Sequence, residues 1–309
     1  MQKHDLLLAG DPASIQPARE HTLGGVQANC ESYWEEGDLA KAAPTIWPRQ
    51  RLPPASLRPK RPSAEKVLQS FNTWAFKREQ PSDPQLLLRT IARAIGLSRP
   101  LSFALYWGKG PRCGIAEPDI QCMDFLARFA DRVKSAHAPG AMISLIFTDT
   151  HARLNGHPQS CIRAYFTHVQ NAARSRDFHT CWLGDLTGTP EIAAVMNRDD
   201  EAVPEPDTLS RLTASARKWY RGADSPEHGA LIYYRMNMVE KRAVNLAFAG
   251  SIFVTFNGSE LRSLFPEHLP IFYMYSLRRG VGVKPWFLPA EAAPCRSSSC
   301  GGTHSAQSN

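Results

Sequence analysis

Residues suited to chemistry concentrate first in the segment YWGKGPRCG, residues 106–114. Its candidate ligand-binding and catalytic residues are Tyr106, Gly108, Lys109, Gly110 and Arg112. The glycines allow a sharp turn with the backbone close to a ligand, and the two cations can donate to a carboxylate or phosphate. The spacing matches neither a phosphate-binding P-loop nor a strict GxGxxG. The segment therefore predicts an anion-binding turn, with a solvated glycine-rich turn as the alternative.

A second polar segment, TDTHARLNGH at residues 148–157, follows an apolar run directly. Its candidates are Asp149 and His151 as catalytic groups, and Asn155 and His157 as substrate-binding groups. Polar side chains at the end of a buried strand must face a cleft or be paired, because an unpaired buried polar group is costly. His151 could act as acid or base near neutral pH, and Asp149 could hold an ammonium group or move a proton. The alternative is a loop in which Asp149 and Thr150 cap a helix.

A third candidate site lies on a long helical pattern that begins near Gly229. Arg235 and Arg242 are seven residues apart and therefore share a helix face, with Lys241 close to it. These three cations predict a clamp for a phosphate or carboxylate group. A solvated basic stripe is the alternative.

The sequence predicts neither a metal site nor a disulfide framework. Several potential ligands crowd residues 149–168, but no CxxC or HExxH spacing orders them. Seven cysteines in 309 residues, with no secretory leader, indicate reduced thiols and a cytoplasmic location. Cys113 lies beside two cations but no general base accompanies it, so we expect a structural rather than a nucleophilic cysteine.

The elements that must position these residues form an α/β pattern. Short apolar runs at 100–107, 141–148, 178–183 and 269–277 predict strands, and the segments between the first three have the three-to-four spacing of helices. Alternating strands and helices favour a mostly parallel, Rossmann-like sheet flanked by helices. Right-handed crossovers would place the carboxyl ends of the first two strands side by side, at the edge where open parallel sheets bind ligands.

Composition separates the two ends of the chain from this domain. Residues 1–62 close with a segment rich in proline and basic residues, which predicts a disordered arm, and residues 290–309 predict a disordered Ser/Gly-rich tail. Residues 63–289 then form one catalytic domain. The net charge of +7 stands beside no recognisable nucleic-acid module, so nucleic-acid binding is not expected. The longest apolar stretch, Asn245–Phe256, is too short to cross a membrane.

The order of these motifs resembles the isonitrile synthase family, which includes the pyoverdine and dityrosine biosynthesis proteins. In that family a strand ends in PAKSPN, and Lys109 and Pro111 stand at the matching Lys and Pro. A family PD step that opens a helix matches Pro118-Asp119, and Asp149 stands at the Asp of the family SDG. The resemblance covers residues 100–186 and, less closely, 231–275, with GKGPR in place of PAKSPN and TDT in place of SDG.

The resemblance implies a Rossmann-like fold without a metal and a biosynthetic reaction at the amine of an amino acid. Isonitrile synthases join that amine to the carbonyl of ribulose 5-phosphate, so an amino acid and a sugar phosphate are the implied small-molecule partners. Lys109 would then bind an anionic group or form an imine. No cofactor is implied.

Two other functions fit the same residues. One is an enzyme that binds S-adenosylmethionine or another nucleoside cofactor over Gly108 to Gly114, with Asp149 on the ribose. That carboxylate follows the glycines at about twice the usual spacing of about 20 residues. The other is a non-catalytic binding protein whose basic arm contacts nucleic acid, with salt-dependent affinity.

Overall fold

A computed structural model describes residues 62–108, 114–188, 194, 204–222, 224–275, 277–278 and 281–282. The helices of this part are α1 (Ala64–Phe71), α2 (Pro84–Leu97), α3 (Glu117–Ala136), α4 (Asp149–Leu154), α5 (Gln159–Arg174), α6 (Leu183–Thr187), α7 (Pro206–Trp219) and α8 (Pro226–Ala247). The strands are β1 (Leu101–Trp107), β2 (Ala141–Phe147), β3 (His179–Trp182), β4 (Ile252–Thr255), β5 (Ile271–Tyr273), β6 (Leu277–Arg278) and β7 (Val281–Gly282), and Ser259–Leu264 forms a 3₁₀ helix. The predicted arm, apart from Pro62, and the predicted tail lie outside these ranges.

Five of the strands form one parallel sheet in the order β3-β2-β1-β4-β5, which confirms the predicted α/β class. β1 and β2 pair along their whole length, from Leu101 opposite Ala141 to Trp107 opposite Phe147. The carboxyl ends of the first two predicted strands therefore lie side by side. β6 and β7 form a separate antiparallel pair.

The sequence prediction missed β4, which lies between β1 and β5. Its four residues are all buried, and an apolar run this short has no periodicity that separates a strand from the end of a helix. The predicted strand at 269–277 divides in the structure into β5 and the first residue of β6.

The two faces of the sheet carry different helices. Alternate residues of β1 point to opposite sides, as in any pleated strand. Phe103 and Leu105 belong to a large core with side chains of α1, α2, α3 and α5, whereas Ala104 packs in a smaller core with Val244 of α8. α7 lies against α8 in a third cluster, which includes Leu212 and Met236.

Local signals explain where several helices begin. The side chain of Ser63 accepts a hydrogen bond from Lys66 N at the start of α1, and Asp83 accepts one from Leu86 N at the start of α2. Ser225 does the same for α8, accepting from His228 N. Within the described ranges, no helix is both long and apolar enough to span a membrane.

Candidate functional site

The carboxyl ends of β1 and β2 are joined at the point where both polar segments begin. The backbone N–H and hydroxyl of Thr148 donate to the carbonyl oxygen of Trp107, at 3.1 and 3.3 Å. Gly108 follows β1 and Asp149 opens α4 directly after Thr148. Both predicted segments therefore leave the same edge of the sheet, which is the edge where open parallel sheets bind ligands.

Gly108, directly after β1, adopts a backbone conformation with positive φ. Its φ is +70°, a region that favours glycine, and a Cβ there would lie 3.5 Å from the ring of Tyr165. Lys109, Gly110 and Arg112 lie outside the described residues, so their roles in binding stay predictions.

A buried hydrogen-bond network holds the end of β1 in place. The hydroxyl of Tyr165 donates to Asp119 Oδ1 at 2.8 Å, and Trp107 Nε1 donates to the Tyr165 oxygen at 3.3 Å. Asp119 has no exposed surface, and its Oδ2 accepts from Ala116 N at 2.8 Å at the start of α3. The Pro118-Asp119 step thus connects the first turn of α3 to the end of β1.

A buried carboxylate from α8 holds the first turn of α4. Glu240 has no exposed surface, and its Oε1 accepts from the Thr150 hydroxyl at 2.6 Å. Its Oε2 lies 2.7 Å from Nε2 of His151. Because a carboxylate accepts and does not donate, Nε2 carries the proton in this contact. The arrangement fixes the orientation of the imidazole ring. The other ring nitrogen, Nδ1, then carries the lone pair that can accept a hydrogen bond.

Two buried polar atoms in this region have no hydrogen-bond partner within the described part of the chain. They are Nδ1 of His151 and the hydroxyl oxygen of Tyr106. The pKa of Tyr106 is raised well above its usual value, first by burial and then by the charge of Glu240. Buried polar groups are normally paired, so these two atoms are the candidates in this region for contact with a substrate.

Tyr233 supports the imidazole from the α8 side. Its ring stacks on that of His151 with centroids 5.6 Å apart and planes 23° apart. The Tyr233 hydroxyl donates to Asn155 Oδ1, and the Asn237 amide donates to the Tyr233 carbonyl at 2.6 Å. Burial raises the pKa of the Tyr233 hydroxyl, although its hydrogen bond to Asn155 acts in the opposite direction. Asn155 therefore positions the stacking ring instead of facing an open cleft.

Asp149 has a different set of contacts from the one predicted. One of its oxygens accepts from Gly184 N at 2.9 Å, and the other lies 3.0 Å from the guanidinium of Arg153. Both oxygens are thus engaged, and they tie the start of α4 to the first turn of α6. The alternative interpretation of this loop placed Asp149 and Thr150 at a helix N-terminus, and the contact of Asp149 with Gly184 N lies at the N-terminus of α6. The N-cap residue of α4, Thr148, makes no side-chain cap hydrogen bond.

The remaining predicted binding residues lie in separate environments. His157 is half-buried, and its pKa is lowered by burial and then by the nearby charge of Arg221. Arg235 is buried but Arg242 is exposed. The two residues lie about 10 Å apart along the helix axis, so the segments that bury Arg235 do not bury Arg242. Lys241 Nζ contacts the Glu267 carboxylate and, at 3.3 Å, the Ser263 carbonyl oxygen. The structure does not assemble these three cations into the predicted clamp.

Within the described ranges, no group of three His, Cys, Asp or Glu side chains is arranged to hold a metal ion.

Comparison with known proteins identifies the fold. No family model and no curated protein sequence matches the chain. Among solved structures, the PvcA protein from Pseudomonas aeruginosa is 15% identical, and the match covers 68% of this chain and 82% of that one with a TM-score of 0.51. This chain has the fold of PvcA.

Two other solved structures match with lower scores. Tyrosyl-tRNA synthetase from Archaeoglobus fulgidus, in complex with L-tyrosine, is 16% identical over 69% of this chain and 64% of its own, with a TM-score of 0.35. AlbC, a cyclodipeptide synthase from Streptomyces noursei, is 14% identical over 50% of this chain and 82% of its own, with a TM-score of 0.29.

Sequence reasoning assigned no role to Glu240 or Tyr233, the two residues of α8 that contact His151. The signal was present in the spacing. Tyr233, Met236, Glu240 and Val244 recur at three and four and are all buried. A carboxylate at an apolar position of a helix stripe requires a buried partner, and that requirement could have drawn attention to Glu240.

Proposed function

We propose that this chain is a biosynthetic enzyme of the isonitrile-synthase-like class, acting on the amine of an amino acid. The observation that carries the proposal is the contact of Glu240 with Nε2 of His151, which leaves the buried Nδ1 without a described partner. An amino acid carries its amine as an ammonium group, which becomes nucleophilic only after losing a proton. A nitrogen base held at the ligand-binding edge of the sheet is the group that this step needs.

His151 and Glu240 divide the work of proton transfer. The lone pair of Nδ1 accepts a proton from the substrate ammonium, and the negative charge of Glu240 stabilises the imidazolium that forms. The neutral amine then attacks the carbonyl carbon of the second substrate: a C–N bond forms, the π electrons of the C=O bond move to the oxygen, and a proton passes from the nitrogen to that oxygen to give a carbinolamine. Burial and the Glu240 charge raise the pKa of Tyr106, so its hydroxyl stays protonated and can donate to that carbonyl oxygen.

The anionic part of the second substrate is assigned to the turn after β1. Lys109 and Arg112 follow Gly108, and a lysine and an arginine suit a phosphate or carboxylate. A sugar phosphate with a carbonyl group, which the family resemblance implies, supplies both the carbonyl that the amine attacks and the anionic group that Lys109 and Arg112 bind. Asp149 is a positioning residue in this scheme, because its contacts with Gly184 and Arg153 engage both carboxylate oxygens.

The shared fold with PvcA from Pseudomonas aeruginosa and the motif resemblance over residues 100–186 support the same class. The scheme uses no cofactor. It places the enzyme in the cytoplasm, where amino acids and sugar phosphates are available. Reactions of this kind supply specialised metabolites.

A ligand panel tests the substrate class. Thermal unfolding of the purified full-length chain should shift upward with one or more amino acids, and further with a pentose 5-phosphate, because ligands that bind only the folded state stabilise it. Stabilisation by S-adenosylmethionine alone would support the nucleoside-cofactor alternative and contradict this proposal. Mass spectrometry of metabolites from producing cells then identifies the product.

A further inference from the structure

A groove lies at the edge of the sheet opposite the candidate site. It has a volume of about 240 Å³, and Arg89, Thr90 and Arg93 of α2 form one wall. Ser251, which directly precedes β4, lies on the other side together with His268. The groove therefore lies at the amino ends of the strands. The seven residues of β1 separate it from the carboxyl edge by about 20 Å. This volume suits a small charged group better than a drug-sized ligand.

The groove is basic and has no described acid to balance it. Arg89 and Arg93 stand four residues apart, one above the other on α2, where like charges repel. Neither forms an ion pair with a carboxylate within the described part of the chain, and no Asp or Glu is among the described residues that line the groove. An anion bound between the two guanidinium groups would relieve their repulsion.

Several other arginines of the described chain have acidic partners. Arg153 contacts Asp149 at 3.0 Å, Arg176 contacts Asp124 at 2.7 Å, and Arg217 contacts Glu227 at 3.1 Å. Arg89 and Arg93 differ from these three arginines because neither forms an ion pair with a described carboxylate.

The guanidinium groups of Arg89 and Arg93 supply hydrogen-bond donors to the groove, together with the imidazole of His268. The Thr90 hydroxyl donates to the Leu86 carbonyl oxygen at 2.9 Å, and the Ser251 hydroxyl donates to Ser102 Oγ at 2.8 Å. These two hydroxyl protons are therefore engaged already. Two planar guanidinium forks can each bind a pair of oxygens, and a phosphate group presents enough oxygens for both, whereas a single carboxylate presents only two.

We propose that this groove binds the phosphate group of a small phosphorylated ligand through Arg89 and Arg93. The site is separate from the candidate active site, and the proposal does not depend on the proposed function. Nucleic acid offers the same chemistry through its backbone phosphates, so the test must distinguish these two sources.

Titration calorimetry with the full-length chain provides the test. The probes are inorganic phosphate, glycerol 3-phosphate, acetate and a short single-stranded DNA. Arg89→Gln/Arg93→Gln removes the groove cations, and Arg128→Gln/Arg132→Gln is the matched control, because Arg128 and Arg132 are also exposed and four residues apart, on α3. Glycerol 3-phosphate should bind the wild type and the control alike and bind the groove variant at least about tenfold more weakly. The melting temperatures of the three proteins should agree.

The DNA and acetate arms define the ligand. DNA binding that is tighter than that of glycerol 3-phosphate, and is lost in the groove variant alone, supports the phosphate site and identifies nucleic acid as its source. Acetate binding equal to that of phosphate would overturn the assignment of a phosphate site. Equal weakening in both double variants, or no heat with any phosphate probe, would overturn the site itself. None of these outcomes depends on turnover at the other edge.

Discussion

The two faces of the central sheet are built from different kinds of side chain. On the face covered by α1 and α3, the ring of Phe129 lies close to four other phenylalanine rings. The distance between ring centroids is 5.4 Å to Phe71, 5.4 Å to Phe76, 4.9 Å to Phe103 and 5.9 Å to Phe272. Most of these rings meet edge to face, the geometry that aromatic pairs prefer. The buried carboxylate of Asp119 also lies on this side, where it accepts hydrogen bonds from the Tyr165 hydroxyl and Ala116 N. This face stabilises the fold.

The opposite face buries polar groups of α8. Glu240 has no exposed surface, and Arg235, Asn237 and Lys241 are buried as well. Burying a charged or amide group costs free energy unless it is paired, and apolar residues would stabilise such a face better. The two faces of the sheet therefore have separate roles: one face supplies the stability that lets the other hold polar groups next to the ligand-binding edge.

The largest loss of stability should follow a change in the aromatic face. Phe129→Ala removes a ring that contacts four others, so we expect unfolding to become easier by about 3–5 kcal/mol. Urea unfolding measures this change. The folded fraction of the variant should still respond to ligand. A decrease in the free energy of unfolding of less than about 1 kcal/mol would contradict the role assigned to this face.

A smaller loss should follow Glu240→Leu on the polar face. The change leaves the Thr150 hydroxyl and His151 Nε2 buried without their acceptor, which should cost about 2–3 kcal/mol. Glu227→Leu, on the exposed side of the same helix, is the matched control and should change stability little. If the two substitutions had equal effects on urea unfolding, Glu240 would not be the group that holds α4 in place.

Tyr106→Phe should separate stability from function on the polar face. It removes a buried hydroxyl that has no described partner but keeps the ring, whose centroid lies 5.1 Å from that of Phe253. We expect stability to stay within about 1 kcal/mol of the wild type, or to rise slightly. Product formation should fall. A clear loss of stability would show that the hydroxyl has a structural partner.

The smallest effect concerns pH and His157. Burial and Arg221 lower its pKa in the folded state, so the unfolded chain binds a proton more readily than the folded one. Its contribution to stability is therefore complete above the unfolded pKa of about 6.5 and is lost as the pH falls through the folded pKa. Urea unfolding at pH 7.5 and pH 5 should show a smaller pH dependence for His157→Gln than for the wild type. An unchanged pH dependence would mean that folding does not lower the pKa of His157.

The sequence predicted the sheet edge better than the contents of the site. β1 and β2 are long apolar runs bounded by Pro and Gly or by polar residues, so their ends were predicted to within about one residue. β4 has only four residues and was missed. Segments that are adjacent in a parallel sheet can be paired by topology alone, and for this reason Gly108 and Asp149 were placed at one edge.

Contacts between distant segments were beyond sequence reasoning. Glu240 lies 89 residues from His151 along the chain, and only the packing of α8 against α4 brings them together. A different segment, between the 3₁₀ helix and β5, supplies the Glu267 partner of Lys241, and Arg242 is exposed; helical spacing cannot foresee either outcome. Periodicity identifies the buried face of a helix but does not identify what that face meets.

Product formation by His151→Gln tests the central claim most directly. The Gln side chain can keep a donor near Glu240, in place of Nε2, but has no nitrogen in the place of Nδ1. Mass spectrometry should find no product in cells that make this variant, while its melting temperature stays close to that of the wild type, and the exposed His168→Gln control should keep the product. Wild-type amounts of product from a folded His151→Gln variant would contradict the assignment of Nδ1 as the base.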